Sequence, residues 1–66
     1  MLYRQVKRQL INDIQSGFAA PGAALPNEKD LAQRFQVSVG TVRRAVDELV
    51  AEHVLLRQQG RGTFVG

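Results

Sequence analysis

Along the first part of the chain the apolar residues Tyr3, Val6, Leu10 and Ile14 recur at spacings of three, four and four, with Arg4, Lys7, Arg8 and Asp13 off that stripe. This is one face of a 3.6-residue helix and predicts a helix over 3–16, closed by Gly17 in a left-handed conformation. Residues 18–26 hold both prolines and read as a connector. Pro21-Gly22 is its turn signal, and Phe18 and Leu25 are expected to pin it to the core. Asn27 is a good N-cap with Asp30 three residues on, and Glu28 and Asp30 put negative charge in the positive first turn of a second helix. That helix is about two turns long, turns Leu31, Ala32 and Phe35 inward, and stops near Gln36-Val37. Ser38 caps a third helix running to about Glu52, with Val42, Ala45, Val46, Leu49 and Val50 as its core stripe. After His53 the pattern changes period. Val54–Arg57 and Thr63–Val65 are β-prone runs around Gln58-Gln59-Gly60-Arg61-Gly62, which predicts a hairpin. The fold class expected is mainly α with a small antiparallel β wing: three helices plus a C-terminal β-hairpin.

Composition narrows the functions open to such a chain. Its 66 residues carry nine Lys and Arg against six Asp and Glu, a formal net charge of +3 and a pI near 10.2. A domain of ~60 residues buries only about 60% of the surface its unfolded chain exposes, which leaves little room for a catalytic cleft with a supporting shell. With no Cys there is no disulfide, thiolate zinc site or cysteine nucleophile, and one His makes no His-rich metal centre. No nucleophile–base pair and no phosphate-cradling loop is in view, so neither an enzyme nor a bound cofactor is expected. The apolar runs are too short for a membrane span or a signal-peptide core, and a membrane partner is not expected. A basic pI of this size is the usual footprint of a nucleic-acid binder.

The second helix ends at Phe35 and the third begins at Ser38, a helix-turn-helix spacing whose second helix is presented to the DNA major groove. The start of that helix reads Ser38-Val39-Gly40-Thr41, with Arg43 following. Hydroxyls bond phosphates or base edges, Arg forks onto guanine or clamps a phosphate, and the helix N-terminus favours anions. An equally available reading makes Ser38 a cap, Thr41 a shield for the helix start and Arg43 a solvated charge. The hairpin tilts the balance. Gln59-Gly60-Arg61-Gly62 places an amide and a cation at a flexible tip where backbone can approach a narrow minor groove, and from residue 53 onward there are two Arg and no acidic residue.

Four ordered blocks then become recognisable: Tyr3-Arg4-Gln5-Val6, Leu25-Pro26-Asn27-Glu28-Lys29-Asp30-Leu31-Ala32, Val37-Ser38-Val39-Gly40-Thr41-Val42-Arg43-Arg44-Ala45, and Arg57-Gln58-Gln59-Gly60-Arg61-Gly62-Thr63-Phe64-Val65. Together they resemble, over essentially the whole chain, the DNA-binding domain of the GntR family of bacterial transcriptional regulators, the wing being most similar to the HutC-like branch. The resemblance implies a winged helix-turn-helix fold over 1–66 and double-stranded operator DNA as partner. It also implies a homodimer in the full-length protein, and a small-molecule effector on a C-terminal domain absent from this chain. The 66 residues are accordingly expected to be a fragment, monomeric alone, of a cytoplasmic regulator that acts as a repressor. By the same resemblance the DNA contacts fall on Lys29, on Ser38, Val39, Gly40, Thr41 and Arg43, and on Gln59, Gly60 and Arg61 at the wing tip.

Three departures from the family pattern stand out. Val39 occupies a position where many relatives carry a base-reading Arg, so direct guanine readout there is lost or replaced by an apolar contact with a thymine methyl. Asn27 replaces a small residue after Pro26 and still caps. His53 replaces a helix-ending Gly and is expected at positive φ, at some strain, with no metal or catalytic role. Among the remaining charges, Arg4, Lys7 and Arg8 read as a solvated helix face, and Arg44 is placed to pair with Glu48 at i,i+4. A winged-helix module that binds protein or RNA is the competing function. The polar off-stripe residues of the third helix favour DNA over it.

Overall fold

The computed structural model describes residues 2–17 and 22–66. Three helices, α1 (Leu2–Gln15), α2 (Glu28–Phe35) and α3 (Val39–Ala51), are followed by an antiparallel hairpin of β1 (Leu55–Gln58) and β2 (Gly62–Val65). This is the expected three-helix, winged architecture. Each boundary has a local cause. Gly17 takes φ 92° behind α1, as the left-handed closure requires. The Asn27 side chain accepts from the Asp30 N–H at 2.8 Å to start α2, and Ser38 Oγ accepts from the Thr41 N–H at 3.1 Å to start α3. His53 closes α3 at φ 65°, the positive value expected where a Gly is usual. Gln36 does the same after α2 at φ 58°, which no residue pattern announced.

Val6 and Leu10 of α1, Leu31 of α2, and Val42, Val46 and Leu49 of α3 interdigitate with Leu25, Leu55 and Val65 in one buried cluster. Tyr3, Ile14, Phe35 and Val50, expected in the core stripes, pack at its margin half-buried. Asp13, expected outside the stripe, is buried. It lies three residues from Leu10 and seven from Val6, on the same helical face, where Arg34 Nη2 stands 3.2 Å from its Oδ2 and Gln9 donates to its Oδ1 at 3.1 Å.

Three further expectations are corrected. Lys7 is not a solvated charge: it bonds Glu48 at 3.1 Å and Glu52 at 2.5 Å, tying α1 to α3, and these bonds hold its ammonium above the ordinary lysine range. Arg44 does not reach Glu48, which Lys7 occupies; its guanidinium lies 3.9 Å from the centre of the Tyr3 ring. The part of the connector that is described is not merely a loop. The Gly22 and Leu25 N–H groups donate to Val65 and Thr63 oxygens at 2.9 and 2.8 Å, and the Val65 N–H donates to the Ala23 oxygen at 3.0 Å, with Ala24 bridging Phe64. A bridge-length third strand thus lies on the free side of β2. Phe18 and Pro21 lie outside the described residues.

Candidate nucleic-acid interface

The turn between α2 and α3 is short because both ends are chemically sealed. Gln36 reverses the chain in the left-handed region, its N–H bonded to helical oxygens of α2, and the Val37 N–H donates to the Ala32 oxygen at 3.0 Å. Two residues later Ser38 opens α3. Its hydroxyl also lies 2.8 Å from Thr41 Oγ1, so the capping reading of Ser38 and the shielding reading of Thr41 both hold in the free chain. Those bonds leave the exterior of the first turn of α3 to Val39 and Gly40, both exposed. A Cβ on Gly40 would meet nothing nearer than Ser38 Oγ at 3.9 Å, so packing does not demand glycine there.

Arg43 projects one turn further on with its side chain 60% exposed, and its Nε donates to Glu28 Oε1 at 3.1 Å. Lys29 is exposed in the first turn of α2, next to that same glutamate. The wing tip is built by a turn in which the Arg61 N–H donates to the Gln58 oxygen at 3.0 Å, and Gly60 takes φ 80° at the third position, where a side chain would be strained. Gln59, Gly60 and Arg61 are all exposed. A groove runs between this tip and the start of α2, lined by Asn27, Glu28, Arg57, Gln59 and Arg61 among others. Glu28 lies on the α2 edge of the groove and holds Arg43, so one carboxylate links the start of α3 to the groove that the wing tip lines.

Two members of this site escaped the sequence reading. Arg57 pairs with Glu28, Nη2 to Oε2 at 3.4 Å, and with Asp47 of α3, fastening β1 to both helices. Glu28 itself read only as a first-turn charge. Nothing in the linear chain relates residues 28, 43 and 57; only the packing of the wing against the two helices does.

The family model for bacterial regulatory proteins of the gntR family matches residues 2–65. The chain is 48% identical over 64 residues to the uncharacterized HTH-type transcriptional regulator YurK of Bacillus subtilis, covering 97% of this chain and 26% of that protein. It is 41% identical over 64 residues to the histidine utilization repressor of Pseudomonas aeruginosa, again with 97% and 26% covered. In fold it is similar to the DNA-binding domain of AraR, solved in a crystal in complex with operator ORE1, with TM-score 0.94 and 39% identity, covering all of this chain and 80% of that one. The chain therefore spans about a quarter of the length of the curated relatives it matches.

Proposed function

This chain belongs to the gntR family of bacterial regulatory proteins, and from that premise we propose that it binds a specific operator in double-stranded DNA, α3 entering the major groove and the wing tip the minor groove. One observation carries the reading. The exposed start of α3, with Val39, Gly40 and Arg43, is joined through Glu28, which Arg43 bonds, to the groove lined by the glycine-turned, basic tip of Gln59, Gly60 and Arg61. A helix start fits the wide major groove, and an Arg on a bare backbone turn fits the narrow, electronegative minor groove. Lys29, Ser38 and Thr41 flank these as phosphate contacts, the two hydroxyls exchanging their mutual bond for phosphate oxygens. The AraR DNA-binding domain, similar in fold and crystallised in complex with an operator, supports operator DNA as the partner.

The proposal extends to the whole regulator: a cytoplasmic repressor of the HutC-like branch, dimeric on a pseudo-palindrome, with a separate effector-binding domain. Similarity to a histidine utilization repressor supports that branch. Selection of binding sites from random duplex DNA is the test. A single consensus should emerge, its affinity falling with salt at a slope near −0.9 per phosphate engaged. Arg43→Ala should weaken every sequence, with extra loss at whichever base Arg43 reads. Salt-independent association, or unchanged affinity in both Arg43→Ala and Arg61→Ala, would remove DNA from the reading in favour of a protein or RNA partner.

A further inference from the structure

A carboxylate lines the groove beside the wing tip and bonds Arg43, among the residues proposed to meet DNA. Acidic side chains are unfavourable there, since each repels the phosphates and cancels a cation. Glu28 is nonetheless held in place, its side chain only 26% exposed, between two arginines: one oxygen accepts from Arg43 Nε at 3.1 Å and the other faces Arg57 Nη2 at 3.4 Å. Arg57 goes on to Asp47. The series Arg43, Glu28, Arg57, Asp47 therefore joins the start of α3, the start of α2, the first wing strand and the middle of α3. Exposed pairs of this kind add little stability, so their consequence is geometric.

We infer that Glu28 is a positioning residue that sets specificity in operator recognition, an inference that rests on the DNA-binding reading above. An arginine carries five donors in a rigid plane. With the Nε–H committed to Glu28, Arg43 presents its Nη donors outward in one orientation, ready to fork onto a guanine edge with little rotamer freedom left to lose. Because the second oxygen of Glu28 holds Arg57, the same carboxylate fixes where the wing stands relative to α3. Glu28 thus exchanges some general attraction for DNA against discrimination between sequences.

The test uses the full chain, a duplex carrying the selected consensus, a duplex altered at the one position that Arg43→Ala ceases to read, and a random duplex. Glu28→Ala removes charge and acceptor together, whereas Glu28→Gln removes the charge and keeps an amide oxygen for the Arg43 Nε–H. Both variants should bind the random duplex at least as tightly as the wild type. Glu28→Ala should cut the preference for consensus over altered duplex by about tenfold, while Glu28→Gln retains most of it. Adding Glu28→Ala to Arg43→Ala should cost no further preference. Arg43→Lys, which keeps a charge but has no Nε–H, should lose the preference with Glu28 untouched, so the inference can fail even if a Glu28 variant misfolds. In the free protein, the Arg43 Nε–H resonance should exchange faster with water in Glu28→Ala than in Glu28→Gln. Equal changes for Ala and Gln, or full preference in Arg43→Lys, would overturn the role of Glu28 alone. A wild-type chain with no preference for any duplex would overturn this inference together with the reading beneath it.

Discussion

Val39 occupies the first position of α3 and is 37% exposed, on a helix start otherwise rich in hydrogen-bonding groups. An apolar tip there suits a thymine methyl and offers guanine nothing. Val39→Arg should therefore move one consensus position towards guanine, by about 1–3 kcal/mol if the new side chain forks onto the base. An unchanged selected consensus would mean that Val39 does not face the bases. The fold should tolerate the change because the site is exposed. Strain is the other residue-scale effect. His53 and Gln36 sit at φ 65° and 58°, where a Cβ crowds the following carbonyl. Replacing either by Gly relieves that crowding at some cost in backbone entropy, and a net gain of about 0.5–1 kcal/mol is expected in denaturant unfolding. His53 was legible as a positive-φ site because it stands in a glycine's place; Gln36 gave no such sign.

At the level of elements, the connector between α1 and α2 is where linear pattern failed. Ala23 and Ala24, bounded by Gly22 and Pro26, have low β propensity and no alternation. They join the sheet because β2 offers unpaired backbone groups on its free side and Leu25 is drawn into the core. The Leu25 and Gly22 N–H groups should accordingly exchange with solvent as slowly as those of the hairpin, which hydrogen exchange will read directly; rapid exchange would return the segment to a loop. The helices are joined by a second device, Lys7 between Glu48 and Glu52. Its pKa is raised in the folded state by those bonds, so its stabilising contribution is complete below the ordinary lysine value of about 10.4 and is lost as pH climbs through the higher native value. Lys7→Gln should be less stable than the wild type at neutral pH, and the gap should close under strongly alkaline conditions. A gap independent of pH would assign the loss to packing of the lysine stem.

For the whole molecule, one small core must hold every functional surface in register. A chain of this size commonly has only about 3–5 kcal/mol of stability in hand. Leu49, with no exposed surface, lies in that core, and Leu49→Ala should cost about 2–5 kcal/mol, comparable to the whole stability of the chain. Circular dichroism would show it. The exterior supplies little with which to associate: among the described residues the exposed large apolar side chains are Val39 and Leu56. The 66-residue chain should therefore sediment as a monomer and bind one half-site weakly. Two copies joined by a flexible tether should bind a palindrome about 10²–10⁴ more tightly, because the second contact is made at a high effective concentration. The gain should disappear when the half-sites are moved beyond the tether's reach. Tight dimeric binding by the untethered chain would place a dimer interface within these residues.

The helices, the N-caps of α2 and α3 and the hairpin followed from the sequence alone, because helical periodicity, Asn27 and Ser38 ahead of their helices, and paired glycines between β-prone runs are local signals that act within a few residues. The short turn before α3 and the basic tip were legible for the same reason, and with them the surface that the proposed function uses. What tertiary structure decided were relations across distance: the third strand on β2, the burial of Asp13 against Arg34, Lys7 spanning to α3 and Arg44 lying on Tyr3. Most consequential is Glu28, which a linear reading makes a helix-dipole charge and which folding places between Arg43 and Arg57, 15 and 29 residues away. Charged side chains are long and their pairing depends on which elements pack together. Their partners are therefore fixed only when the core has closed.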